Sequence, residues 1–137
     1  MPQNASWALQ KAIYQALANE AVLTALLGAG KIFDDVPQGA SFPYLTIGQA
    51  TARDWSTATE EGCEHILTLQ AWSKDAGRKG IAAIMQAVHD ILHGAPLALE
   101  DHILINLRHD FTDLNRDKGG EAYHGLTRYR AVTEPIL

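Results

Sequence analysis

Two periods alternate along the chain, and each change of period marks a change of element. Trp7, Leu9, Ala12, Ile13, Ala16 and Leu17 recur at helical spacing, predicting a first helix with Asn4 or Ser6 as its cap. Val22, Leu23, Leu26 and Leu27 predict a second, short helix, capped by Asn19 and ended by Gly28 and Gly30. Residues 31–36 read as a short extended piece closed by Pro37, and residues 43–49 as a strand built on Tyr44, Leu45, Thr46 and Ile47. The clearest strand is Cys63–Ser73, whose alternation separates Cys63, His65, Leu67, Leu69 and Ala71 from Glu64, Ile66, Thr68, Gln70 and Trp72. After a turn over residues 75–80, helical spacing returns in Ile81, Ile84, Met85, Val88, Ile91 and Leu92, and Gly94 and Pro96 stop that helix. Residues 102–111 alternate again, with Ile103, Ile105, Leu107, His109 and Phe111 on one side. Residues 122–133 form the last strand, which Pro135 ends.

Two polar stretches break this pattern. Residues 50–62 read as a long hairpin connection, interrupted by Trp55, that can extend the flanking strands, and residues 112–121 as a charged loop containing Gly119 and Gly120. Both exceed the roughly two to five residues a simple hairpin turn needs, and long loops on a rigid scaffold are where binding concentrates. The order of helices, strands, one long helix and two more strands predicts an α+β fold, with helices packed on one face of a mainly antiparallel sheet and long polar hairpins. The 137 residues suit one domain over residues 1–137.

Charge and cysteine content narrow the function. Acidic residues outnumber basic ones 16 to 11, for a net charge of -5, so the basic footprint of a stand-alone nucleic-acid binder is missing. The single cysteine, Cys63, has no internal disulfide partner, and no Cys/His array for zinc is present. No signal peptide is expected from residues 1–7, and no apolar run approaches the roughly 18 residues of a membrane span.

Candidate chemistry is thin. Gly28–Ala29–Gly30–Lys31 lacks the upstream glycine and following Ser or Thr of a phosphate loop, and reads as a helix stop. His89 and His93, four apart, have a metal-pair spacing, but neither the glutamate of HExxH nor a third ligand accompanies them. Cys63 and His65 share a strand face with Leu67, Leu69 and Ala71, which marks the thiol as core. Glu60, Glu61 and Glu64 read as a solvated cluster or an interface rim. Arg128 and Arg130 share a face of the last strand with His124, and Arg108 joins them if the last two strands pair. The result is either a small basic patch or cross-strand pairs with carboxylates such as Glu64 or Glu134.

Several blocks carry a resemblance to a known family. They are Ile32–Phe33–Asp34–Asp35–Val36–Pro37, Phe42–Pro43–Tyr44–Leu45–Thr46–Ile47–Gly48, Trp55–Ser56–Thr57, and Gly62 and His65 through Leu69–Gln70–Ala71–Trp72–Ser73. They continue in His93–Gly94–Ala95–Pro96–Leu97, Asn106–Leu107–Arg108 and Arg128–Tyr129–Arg130–Ala131–Val132–Thr133–Glu134. In order and spacing the chain resembles the tail-completion, or tail-terminator, proteins of tailed phages and gene transfer agents. The resemblance implies a structural α+β protein and no enzyme. It implies a homo-oligomeric ring, typically a hexamer, that caps the head-proximal end of the tail tube and ends tube growth. The implied partners are the tail tube protein and a head–tail connector (stopper or adaptor), with DNA passing through without specific binding and no membrane or cofactor involved. Assembly is expected in the bacterial cytoplasm, followed by residence in the particle. The alternatives are a head-side neck protein and, from another class, a small metal-dependent or thiol hydrolase using His89, His93 or Cys63.

Subunit contacts are expected from the two polar stretches. The first carries Arg53, Asp54, Trp55, Glu60 and Glu61, and the second Asp113, Arg116, Asp117, Lys118 and Glu121. Mixed charges of this kind suit head-to-tail contacts in a closed ring. Trp55 is the expected anchor, unless it folds back onto its own sheet.

Overall fold

The computed structural model describes residues 2–59, 61–74, 77–116 and 122–136. Its elements are α1 (Pro2–Ala18), α2 (Ala21–Leu27), β1 (Ile32–Phe33), β2 (Tyr44–Asp54), β3 (Cys63–Ser73), α3 (Gly77–Leu92), β4 (His102–Arg116) and β5 (Tyr123–Pro135). The strands form one sheet in the order β1-β2-β3-β5-β4. Every neighbouring pair is antiparallel except β1 and β2. Among the described residues, the three helices cover one face, as the α+β reading expects, and the other face carries no helix.

The core lies between helices and sheet. Leu45, Ile47, Leu67, Leu69, Ala71, Leu107, Tyr129 and Ala131 meet Leu9, Ile13 and Leu17 of α1, Leu23 and Leu27 of α2, and Ile81, Ile84, Met85, Val88 and Leu92 of α3. Each of the large aliphatic side chains contributes about 1.5–3 kcal/mol through burial. The α3 stripe is the one its sequence predicts, and Gly94 follows with φ +72°. Its N–H donates to Leu107 O at 2.7 Å, tying the end of the helix to β4. Gly125 lets α3 approach β5: a Cβ there would lie 3.0 Å from Ile81 Cγ1 and 3.1 Å from Met85 Cγ.

Several expectations change. α1 starts at Pro2, a favoured first helical position, so Asn4 and Ser6 lie inside the helix instead of capping it. Its buried stripe runs through Ala5, Ala8, Leu9, Ala12, Ile13 and Leu17, and Trp7, off that stripe, is 60% exposed. α2 is capped by Glu20, not Asn19, without a side-chain bond. Only Leu23 and Leu27, one turn apart, are buried there; Val22 and Leu26 are exposed. The extended piece at 31–36 contracts to Ile32–Phe33.

The larger corrections concern the polar stretches. β2 runs on to Asp54, an extension that the hairpin reading allows, and β4 runs on to Arg116, so residues 50–54 and 112–116 are strand. Two bulges, at Ile105 and Asp110, interrupt the alternation of β4. They put Leu104, Leu107 and Leu114 on the helix side and leave Ile103, Ile105 and Phe111 exposed, where simple alternation put these last three beside Leu107.

Candidate subunit-contact surfaces

The sheet register fixes which side chains share the helix-free face. At one end, Tyr44, Trp72 and His124 form a row across β2, β3 and β5. Their ring centroids are 5.2 Å apart for Tyr44–Trp72 and 4.9 Å for Trp72–His124. His124 Nε2 donates to Gln70 Oε1 at 2.7 Å. At the other end Arg53 lies opposite Glu64 on β3, and Arg130 one strand further on.

Glu64 organises that second end. Its side chain is 7% exposed and accepts from Nε of both Arg53 and Arg130. Burial alone would raise the Glu64 carboxyl; hydrogen bonds and charge from Arg130 and Arg53 outweigh it and hold the group below the ordinary carboxylate range. Both guanidiniums then lie over the Trp55 ring, Arg53 at 5.5 Å and Arg130 at 5.1 Å from its centroid. Trp55 therefore does fold back onto its own sheet, yet it keeps 47% of its surface exposed. Cross-strand pairing with Glu64 is borne out for Arg130. Arg128 instead lies 4.7 Å over the Phe111 ring, and Arg108 faces Arg130 across β4–β5. Glu64 itself is not the solvated charge its sequence neighbours suggested.

The remaining predicted contact residues fall into two places. Asp54, at the end of β2, accepts from the backbone N–H of Ser56 at 3.0 Å and from its hydroxyl at 2.6 Å. Those bonds, the hydroxyl first, lower its carboxyl pKa. Glu61 is exposed nearby. Asp113 and Arg116 lie in the last four residues of β4, and Arg116 Nη2 donates to the Tyr123 hydroxyl at 2.9 Å. Glu60, Asp117, Lys118 and Glu121 lie outside the described residues. Arg53 sits in the row of Glu64 and Val132 and Asp54 in the row of Cys63 and Thr133, whereas Asp113 and Arg116 flank the row containing Trp72 and His124. The two groups thus occupy opposite edges and opposite ends of the sheet. Residues 51–54 are exposed throughout, and so are 110–113, 115 and 116, which marks both segments as strand ends with neither face packed.

The histidines have structural partners. His89 and His93 stack with centroids 4.8 Å apart, and His109 meets His89 edge-on at 5.2 Å. His93 Nδ1 accepts the His109 backbone N–H at 3.0 Å, and His109 Nε2 bonds the Thr112 hydroxyl at 2.6 Å. Among the described residues no three His, Cys, Asp or Glu side chains are placed to hold a metal ion. Cys63 is buried, and that burial raises its thiol pKa, the reverse of what a nucleophile needs. His65 bonds the Thr133 hydroxyl at 2.9 Å, and burial, then the charge of His102, lower its pKa to about 4.

This α+β domain has a counterpart in a phage-like particle. It superposes with a TM-score of 0.85 on a chain of the virion of a native gene transfer agent particle, at 31% identity, covering 93% of this chain and 96% of that one. The family model described as tail completion protein gp17 matches residues 11–134, and the chain belongs to that family. Comparison with curated proteins gives no match.

Proposed function

We propose that this protein closes into a homo-oligomeric ring, typically a hexamer, at the head-proximal end of a tail tube. There it ends tube growth and joins the tail to the head-side connector. The role is structural, with no catalytic step, and assembly takes place in the bacterial cytoplasm before the ring becomes part of the particle. The observation that carries the reading is likeness along almost the whole chain to a gene transfer agent virion chain, together with membership of a tail-completion family.

The geometry supports head-to-tail contact. A cyclic ring needs two different surfaces on each subunit, placed so that one meets the other on the next copy. The exposed, charged ends of β2 and β4 sit on opposite edges of the sheet and meet that need. The net charge of -5 also suits a ring that passes DNA, because each Lys or Arg bound to phosphate strengthens attachment through counterion release. Gold labelling of a tagged copy in purified particles tests the location. Label at the head–tail junction is expected; label confined to the capsid or the distal tail tip would refute it.

A further inference from the structure

The ring reading leaves open how one copy grips the next, and the free sheet edges supply a specific answer. β1 pairs with β2 only at Leu45 and Thr46, so the edge of β2 from residue 48 to 54 has no strand partner among the described residues. On the opposite edge, the middle of β4 is held by the segment after α3, through Gly94 N–H to Leu107 O and His109 N–H to His93 Nδ1. Beyond the bulge at Asp110 that cover ends. Natural proteins usually blunt or cover such edges, since unpaired backbone groups are a template for another strand.

The two free segments are matched in direction and in face. β2 and β4 run antiparallel, as follows from the antiparallel steps through β3 and β5. On both strands the outward-facing backbone groups belong to helix-side residues: Leu45 N–H donates to Lys31 O on β2, and Leu107 and His109 serve on β4. After the register shifts, the helix-side residues are Ala50, Ala52 and Asp54 on β2 and Thr112, Leu114 and Arg116 on β4. A second copy placed edge to edge with the same face up therefore offers bonding groups to bonding groups. A slip by one residue would set helix-side positions against helix-free ones.

Charge separates one of these registers from those two residues to either side. Arg53 commits Nε to Glu64 but keeps 69% of its side chain exposed. Asp113 is exposed and has no ion-pair partner among the described residues. Setting Asp113 opposite Arg53 also sets Phe111 opposite Trp55 and Asn115 opposite Thr51, pairing charge with charge and ring with ring. Slipping by two residues puts Phe111 or Asn115 against Arg53 and loses the ion pair.

We infer that the β4 end of one copy adds antiparallel to the β2 end of the next, with Asp113 facing Arg53, Phe111 facing Trp55 and Asn115 facing Thr51. The sheet then runs on from subunit to subunit. This contact rests on the ring reading. Facing residues of an antiparallel pair have Cα atoms about 4.5–5.5 Å apart, within the roughly 7 Å a disulfide spans; the diagonal neighbour, about 7–8 Å away, is not.

The test uses the full chain in assembled particles, in a Cys63→Ala background, with the exposed pair Thr51→Cys and Asn115→Cys. Mild oxidation is expected to convert the monomer band on a non-reducing gel into a ladder ending at one closed species. The diagonal pair Thr51→Cys with Asp113→Cys is expected to stay monomeric. Cross-linking of the diagonal pair alone, or of neither pair in particles where electron microscopy still shows the ring, overturns the register and leaves the proposed function standing. Particles that carry the protein only as a monomer overturn both.

Discussion

Arg130 Cζ lies 5.1 Å from the centre of the Trp55 ring, so a residue just past the end of β2 is seated on β5, two strands away. The link between them is Glu64 on the intervening strand, which holds Arg130 and Arg53 in place at once. The ring is thereby presented at a fixed height on the helix-free face, half covered by its own sheet. An anchor ordered before contact loses less side-chain entropy on binding.

Trp55→Ala combined with Arg116→Glu is expected to leave the monomer folded, because Trp55 is half exposed, Arg116 is exposed and neither belongs to the core. Ring formation on the tail tube should be lost. Circular dichroism checks folding and electron microscopy checks the tube end. An unfolded double variant would make these residues structural, and normal tails with attached heads would remove them from the contact.

Ile84→Ala and Leu92→Ala should each destabilise the fold by about 2–5 kcal/mol, the usual range for emptying a packed aliphatic site. Both side chains are buried against the sheet. A denaturant midpoint equal to that of the unaltered protein in both variants would place the α3 stripe elsewhere.

Gly125→Ala should cost about 1–3 kcal/mol through overpacking, since the new Cβ meets Ile81 and Met85 at 3.0–3.1 Å. The same measurement checks it, and an unchanged midpoint would mean that α3 shifts off β5 at no cost.

Acid should weaken the fold in two windows. His65 has a folded pKa of about 4, against an ordinary value of 6.5, so the unfolded chain takes up the proton first. Its contribution is complete above pH 6.5 and is lost as the pH falls towards 4. His109, lowered by burial and by His89 and His93, adds in the same direction. Glu64, held below its ordinary 4.5, contributes above that value and loses its contribution as the pH falls through the lowered one. His65→Gln should flatten the upper part of a stability–pH curve, and Glu64→Gln the lower part. A curve of unchanged slope from pH 6.5 to 4 in His65→Gln would contradict the assignment.

Legibility in the sequence followed packing. β3 was readable end to end, and α3 from Ile81 onward, because one face of each is buried and burial imposes the period; residues 77–80, read as a turn, are the first residues of α3. The last residues of β2 and β4 were not, because a strand exposed on both faces has no alternation to show. Arg53, Asp54, Asp113 and Arg116, expected contact residues, thus fall on strand ends that show no alternation in the sequence. The bulges of β4 hid a second feature: each shifts the inward face by one residue, so a single alternation cannot follow Leu104, Leu107 and Leu114 together. Glu64 was legible in part. The sequence offers it both as a member of a solvated or interface cluster with Glu60 and Glu61 and as a cross-strand partner of the arginines; the sheet register selects the pairing for Arg130 and adds Arg53.

The most direct test of the central claim is tail length and head attachment in particles from a strain with this gene deleted, read by electron microscopy and compared with the complemented strain. The account predicts tube ends without a cap, tails that overrun their normal length or stay unjoined to heads, and recovery on complementation. Tails of normal length joined to filled heads in the deletion strain would contradict it.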